Sequence, residues 1–347
     1  MLKTSPLLMV RADASAAIGS GHVMRCLALA KAWQNCGGNV LWLSAENIAA
    51  LEERIRREGV DLRKIDSTPG TASDAEQTAS AALRAGAVWV VVDGYRFVPE
   101  YIRSLKTVGL RVLLLDDDGR FDFYAADVIL NQNICATADW YARREASTQL
   151  LLGSEYALLR PEFRAEPQNR EAAAVARKLL ITMGGSDPEN VAGRVMRALS
   201  TLEEDLEAKV VAGSGNVRAD ELQSIADKSR MRFEIVRSPE NMVPLMKWAD
   251  VAISGAGSTC WELAYMGLPA IVIALSADQQ KIAEGLAQRE IAVSLGWHAT
   301  LSEERIVHEL QSLLRDHPRR LGMSERGRKL VDGRGAERVV EFLRNSL

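Results

Sequence analysis

No run of apolar residues in this chain approaches the roughly 20 needed to span a bilayer. The longest, such as Val88–Val92 and Ile271–Leu275, are strand-sized, so no membrane partner is expected. Clustered Lys and Arg are also lacking. The 43 basic and 46 acidic residues leave a formal net charge of −3 with the signs mixed along the chain, which argues against a nucleic-acid surface. Cys26, Cys36, Cys135 and Cys260 form no C-x-x-C pair and read as free thiols in or near cores. The histidines, His22, His298, His308 and His317, show no metal-ligand spacing, so no metal is expected. The first residues lack the apolar stretch and small-residue cleavage site of a signal peptide, which makes the cytoplasm the expected location.

What the sequence does contain is an alternation of short β-rich runs with amphipathic helical stretches, the pattern of parallel sheets covered by helices. At 347 residues the chain exceeds the roughly 100–200 of a usual domain, so two doubly wound α/β domains are expected. In the first half, strands are predicted at Leu7–Val10, Val40–Leu43, Ala87–Val92, Val112–Leu115 and Val128–Leu130, with helices near 22–35, 46–58, 73–85 and 99–108. Arg164–Ala174 is polar and reads as a linker. Strands follow near 178–183, 208–212, 232–236, 250–253, 270–274 and 292–294. The expected division is residues 1–164, residues 176–335, and a final amphipathic helix over 336–347 that packs back on the first domain.

In open α/β sheets ligands bind at the carboxyl ends of strands, which directs attention to the loops leaving them. Arg11-Ala-Asp13-Ala-Ser15…Ile18-Gly19-Ser20-Gly21-His22 follows the first strand and opens a helix, whose N–H groups and partial positive charge suit an anion. The third glycine of a dinucleotide fingerprint is missing, so no NAD or other cofactor is expected. His22, in the first helical turn, is either a neutral imidazole able to take a proton from water or a residue that packs and caps. Asp13 reads as its orienting carboxylate or as a turn residue. Tyr95, after the strand ending at Val92, lines the site or packs its ring. Asp116-Asp117-Asp118-Gly119 reads as a solvated turn.

Two further loops belong to the second half. In Gly184-Gly185-Ser186-Asp187-Pro188-Glu189, Ser186 and Glu189 predict a capping box, while the double glycine suggests close backbone approach to a diphosphate. Gly257-Ser258-Thr259-Cys260-Trp261-Glu262 offers N–H groups to phosphate as well. Glu262 there either closes a capping box with Thr259 or accepts two ribose hydroxyls. Gln279 either closes a cap begun by Ser276 or reaches a phosphate or sugar.

Several of these segments together resemble a known family. Arg11-Ala-Asp13-Ala-Ser15…Ile18-Gly-Ser-Gly-His22-Val-Met-Arg25-Cys26-Leu, Val92-Asp93-Gly94-Tyr95, Leu115-Asp116-Asp117, Leu130-Asn131-Gln132-Asn133, Tyr156–Phe163, Met183–Asp187, Ile253–Glu262 and Gly267-Leu-Pro269 are similar to the motifs of the UDP-2,4-diacetamido-2,4,6-trideoxy-β-L-altropyranose hydrolases of pseudaminic acid synthesis. That family is in turn similar to the peptidoglycan UDP-N-acetylglucosamine transferase and has the GT-B fold, two Rossmann-like domains facing a cleft. The resemblance implies a catalytic histidine at His22, an active-site tyrosine at Tyr95 and a ribose-binding glutamate at Glu262. Asp278-Gln279 departs from the family's Asn-Gln pair. The function it implies is metal-independent, inverting hydrolysis of a UDP-linked sugar. A glycosyltransferase with a UDP-amino-sugar donor and a non-catalytic nucleotide-sugar binder stand as rivals.

Overall fold

A computed structural model describes residues 5–15, 21–46, 48–165, 170–213 and 215–347. Gly19 of the first glycine loop lies outside them. The chain divides into two compact units, one holding residues up to Ser15 with His22–Pro161 and Arg334–Leu347, the other Glu162–Gly333.

The first unit is a seven-stranded sheet in the order β3-β2-β1-β4-β5-β6-β7, with every adjacent pair parallel. Its strands are β1 (Leu7–Ala12), β2 (Asn39–Ser44), β3 (Asp61–Lys64), β4 (Ala87–Asp93), β5 (Val112–Leu115), β6 (Val128–Asn131) and β7 (Gln149–Leu152). Strand side chains alternate between faces, and here both faces are covered. Leu8, Val10, Trp42, Trp89 and Val91 pack under helices α1 (Gly21–Asn35) and α2 (Ala49–Arg57). Met9, Leu41, Val90, Val92 and Leu114 pack under α3 (Ala72–Ala85) and α4 (Pro99–Thr107). The C-terminal helix Gly335–Asn345 joins the α1 side through Val339, Val340 and Leu343, and the Trp89 indole donates to Leu343 O at 3.1 Å.

β3 and β7 have no counterpart among the strands predicted from sequence. Both are edge strands of four residues; only Leu62 is buried in β3 and only Leu151 in β7, so neither carries the apolar run of a central parallel strand. A second difference concerns Arg11. Strand β1 runs to Ala12, and alternation places Arg11 on the same face as Met9, inside the α3–α4 layer.

The second unit is a six-stranded parallel sheet in the order β10-β9-β8-β11-β12-β13. Its strands are β8 (Lys178–Thr182), β9 (Glu207–Ala212), β10 (Arg232–Arg237), β11 (Val251–Gly255), β12 (Ala270–Ala274) and β13 (Ala292–Trp297). Two cysteines, Cys26 and Cys260, are buried as free thiols, whereas Cys36 is exposed and Cys135 half-buried. Among the described residues no helix is long and apolar enough to cross a membrane.

Candidate active site

In the first sheet the strand order reverses between β1 and β4. The helix that follows β1 packs on one face and the helix that follows β4 on the other, so their connections diverge and leave a crevice at the strand ends. His22 in the first turn of α1, Asp93 ending β4, Gly94 and Tyr95 beyond it, and Asp116, Asp117 and Arg120 after β5 line one recess there. Gly94 has φ +148°; a β-carbon on it would lie 3.0 Å from the Phe97 ring and 4.0 Å from His22 Nδ1, so the turn that delivers Tyr95 needs a glycine.

His22 is 7% exposed and meets the half-exposed Tyr95 edge-on, with ring centroids 4.9 Å apart. Its Nδ1 is buried without a hydrogen-bond partner and lies 3.9 Å from Asp93 Oδ1. Arg120 lays its guanidinium over the Tyr95 ring, 5.3 Å from the centroid. Asp93 is wholly buried. Burial alone would raise its pKa, yet the charges of Arg25 and His22 and hydrogen bonds from Arg25 and Cys26 hold it below the ordinary carboxylate value.

Asp13 does not orient His22. It accepts from Ser44 Oγ (3.1 Å), Ala45 N (2.8 Å) and Glu46 N (3.1 Å), tying the end of β1 to the loop after β2. Arg11 is not in the ligand loop either. It is fully buried, bidentate to Asp74 at 2.9 and 2.8 Å, with its other terminal nitrogen 2.7 Å from Asp13 Oδ2 in an ion pair too bent for a hydrogen bond. The acidic run is no solvated turn. Asp116 is buried and its Oδ2 accepts from Tyr141 Oη (2.8 Å) and Gly119 N (2.9 Å).

Burial pushes Asp116 up to about 6, with Asp118 and Asp117 adding to it, against the hydrogen bonds from Tyr141 and Gly119. Because the folded value exceeds the unfolded 3.8, this group's contribution is fully present below 3.8 and is lost as pH rises through about 6. Asp116→Asn is therefore expected to gain stability relative to the parent as the pH climbs from 3.8 to about 6, with the difference holding constant above that. Thermal unfolding of both proteins at about pH 5 and about pH 8 checks this, and a difference independent of pH would contradict it.

In the second unit the loops after β8 and β11 and the turn after β12 converge, because those three strands lie side by side. Gly184 has φ +81°, and Gly185 O accepts from Gly215 N at 2.9 Å. A β-carbon on Gly255 would lie 2.8 Å from Leu275 Cδ1, and one on Gly257 3.4 Å from Gln279 Nε2. Ser258, Thr259 and Glu262 stand on the same loop and the helix Thr259–Met266.

None of the expected caps forms as predicted. The helix Val191–Leu199 starts later than Ser186 and Pro188 suggested, with Asn190 as its N-cap and with Asp187 accepting from Val191 N and Ala192 N at 2.8 and 3.0 Å. A carboxylate with two oxygens satisfies two orphan N–H groups that the single Ser186 hydroxyl cannot. Thr259 lies within its helix, and the N-cap Ser258 makes no side-chain cap bond. Gln279 Oε1 accepts from Leu275 N at 3.1 Å instead of closing on Ser276.

Both halves of the chain are similar to known proteins. Residues 179–337 match the glycosyltransferase family 28 C-terminal domain. Spore coat polysaccharide biosynthesis protein SpsG of Bacillus subtilis is 24% identical over 71% of this chain and 73% of its own length. UDP-2,4-diacetamido-2,4,6-trideoxy-β-L-altropyranose hydrolase of Campylobacter jejuni is 25% identical over 81% of this chain and 96% of its own. The crystal structure of Acinetobacter baumannii MurG superposes with a TM-score of 0.68 at 18% identity, covering 98% of this chain and 99% of that one. The fold is thus GT-B, two Rossmann-like domains in one chain.

Proposed function

We propose that the chain hydrolyses a UDP-linked 2,4-diacetamido-2,4,6-trideoxy sugar at the anomeric carbon, with inversion, releasing UDP and free sugar. The observation that carries the reading is His22, whose ring sits at the switch point of the first sheet beside Tyr95 with its Nδ1 facing an ionised carboxylate. The relative in Campylobacter jejuni, similar along nearly its whole length, supports the choice of substrate.

With a proton on Nδ1 turned to Asp93, the Nε2 lone pair of His22 is the base. The oxygen of a water bonds to C1 as the C1–O bond to the diphosphate breaks, the water's proton passes to Nε2, and UDP leaves as the anion. The 3.9 Å gap to Asp93 shortens as the imidazolium forms, as catalytic hydrogen bonds commonly tighten once substrate is bound. Backbone N–H groups of Gly184, Gly185, Ser186, Gly257, Ser258 and Thr259 are assigned to the diphosphate, Glu262 to the ribose hydroxyls and Gln279 to phosphate or sugar. No metal is required in this scheme.

Incubation with the UDP-diacetamido sugar in ¹⁸O-water, with no acceptor present, tests it. UDP is expected to be released free of label while the newly formed sugar carries one ¹⁸O at C1. Label in UDP would mean P–O cleavage and end the proposal. The match of residues 179–337 to a glycosyltransferase family favours a second reading, transfer to an acceptor hydroxyl activated by the same histidine. In that case UDP appears only when acceptor is added; a binding protein releases none.

A further inference from the structure

His22 is joined to a buried charge cluster assembled from three elements. Arg25, one helical turn after His22 on α1, donates from Nε to Asp93 Oδ2 (2.8 Å) and from one terminal nitrogen to Asp93 Oδ1 (2.7 Å). The same guanidinium donates to Asp117 Oδ1 and Oδ2, at 2.8 and 2.9 Å, after β5. The Cys26 thiol adds a 3.3 Å contact to Asp93 Oδ2. Every one of these side chains is less than a tenth exposed. Asp93 therefore cannot rotate, and Oδ1 keeps its remaining side toward the unpartnered Nδ1 of His22.

Charge accounting adds a second point. Asp93 and Arg25 alone would be neutral, and an imidazolium forming beside a neutral pair in a buried site gains little. Asp117 makes the cluster net negative, and removal from water strengthens that field. We propose, resting on the hydrolytic reading above, that Arg25 is the positioning residue fixing Asp93 Oδ1 toward His22. Asp117, by balancing Arg25, leaves the negative charge that lets His22 take up the water's proton. Neither residue touches the reacting atoms in this scheme; both act through Asp93.

The ionisable groups around the ring are Arg25 and Cys26 on its own helix, Asp93 and Tyr95 from the end of β4, and Asp116, Asp117 and Arg120 after β5. Since burial pushes Asp116 up to about 6, an activity profile alone would mix the two groups, and the ring itself is followed by ¹⁵N-histidine NMR of the full chain, with His22→Gln identifying its signal. Neutral His22 is expected to carry its proton on Nδ1. In Asp117→Asn its titration midpoint is expected to fall by about half a unit to one unit, as the loss of a nearby opposite charge requires. The acid limb of kcat/KM moves down by the same amount. Asp117→Glu, which keeps the charge, restores both. Arg25→Lys, a point charge unable to fork between two carboxylates, is expected to lower kcat more than KM is raised.

A proton on Nε2 of wild-type His22 would overturn the proposal without any variant. So would a midpoint that stays put in Asp117→Asn. Either result leaves the ¹⁸O labelling untouched, whereas a failed labelling experiment removes the hydrolytic reading and leaves the titrations standing.

Discussion

His22→Gln is expected to cut turnover by about 10²–10⁴-fold, the usual worth of a positioned general base. Glutamine fills much of the imidazole's space beside Tyr95 and accepts a hydrogen bond, but its amide cannot take up a proton. Water would still be held near the sugar and the diphosphate still cradled, so UDP affinity, assigned to the loops of the second unit, is expected to stay close to that of the parent. Steady-state UDP release, with equilibrium UDP binding measured alongside, separates the two effects. Turnover within about threefold of the parent would take His22 out of the chemistry, because no general base of that worth can be lost so cheaply. A parallel loss of UDP affinity would instead assign the ring to binding.

Much of the framework that holds this histidine was legible in the sequence. The central strands of both sheets are short apolar runs between helical stretches, and burial on both faces is what makes such runs conspicuous. His22, Tyr95 and the glycine loops are recognisable because strand-end loops are few and each opens a helix. The partner of His22 was not legible. Asp13 lies closer in sequence, but Asp93 reaches the ring because β4 lies directly beside β1, a neighbour relation set by strand order. Arg25 carried a usable signal, its position three residues after His22, which sets both side chains on one face of α1. Asp116 and Asp117 read as a turn because a run of acids before glycine looks the same whether solvated or clamped by Arg25 and Tyr141. Helix starts in the second unit were misplaced for a local reason. Asp187 and Asn190, both at positive φ, take over N–H groups that the sequence pattern allots to Ser186.

Asp74→Asn is expected to cost about 3 kcal/mol of folding free energy, the upper end of the 0.5–3 usual for a single substitution, because it removes the bidentate one of the two carboxylates that face the buried Arg11 guanidinium. Arg11 stands next to the last residue of β1 on a face otherwise made of Met9, Val90 and Val92, with the Phe97 ring 4.9 Å from its guanidinium. Only carboxylates make that placement tolerable. Asp74 supplies both oxygens to it while also accepting from Gly70 N (2.8 Å), Thr78 Oγ1 (3.1 Å) and Tyr101 Oη (3.0 Å). An amide in its place turns N–H groups toward donors and removes the charge. Asp13 keeps its ion pair with Arg11 through Oδ2, but its Oδ1 is committed to Ser44, Ala45 and Glu46, so it cannot take over the two hydrogen bonds that Asp74 accepts. Because Arg11 and Asp74 share these bonds, the losses from Arg11→Met and Asp74→Asn are expected to be less than additive, a coupling that a double-mutant cycle in denaturant measures directly. Additive losses would mean that Asp74 matters only for its neutral hydrogen bonds. The arginine at position 11, for all its place in the motif, would then have to be explained by something other than holding α3 to the strand that delivers His22.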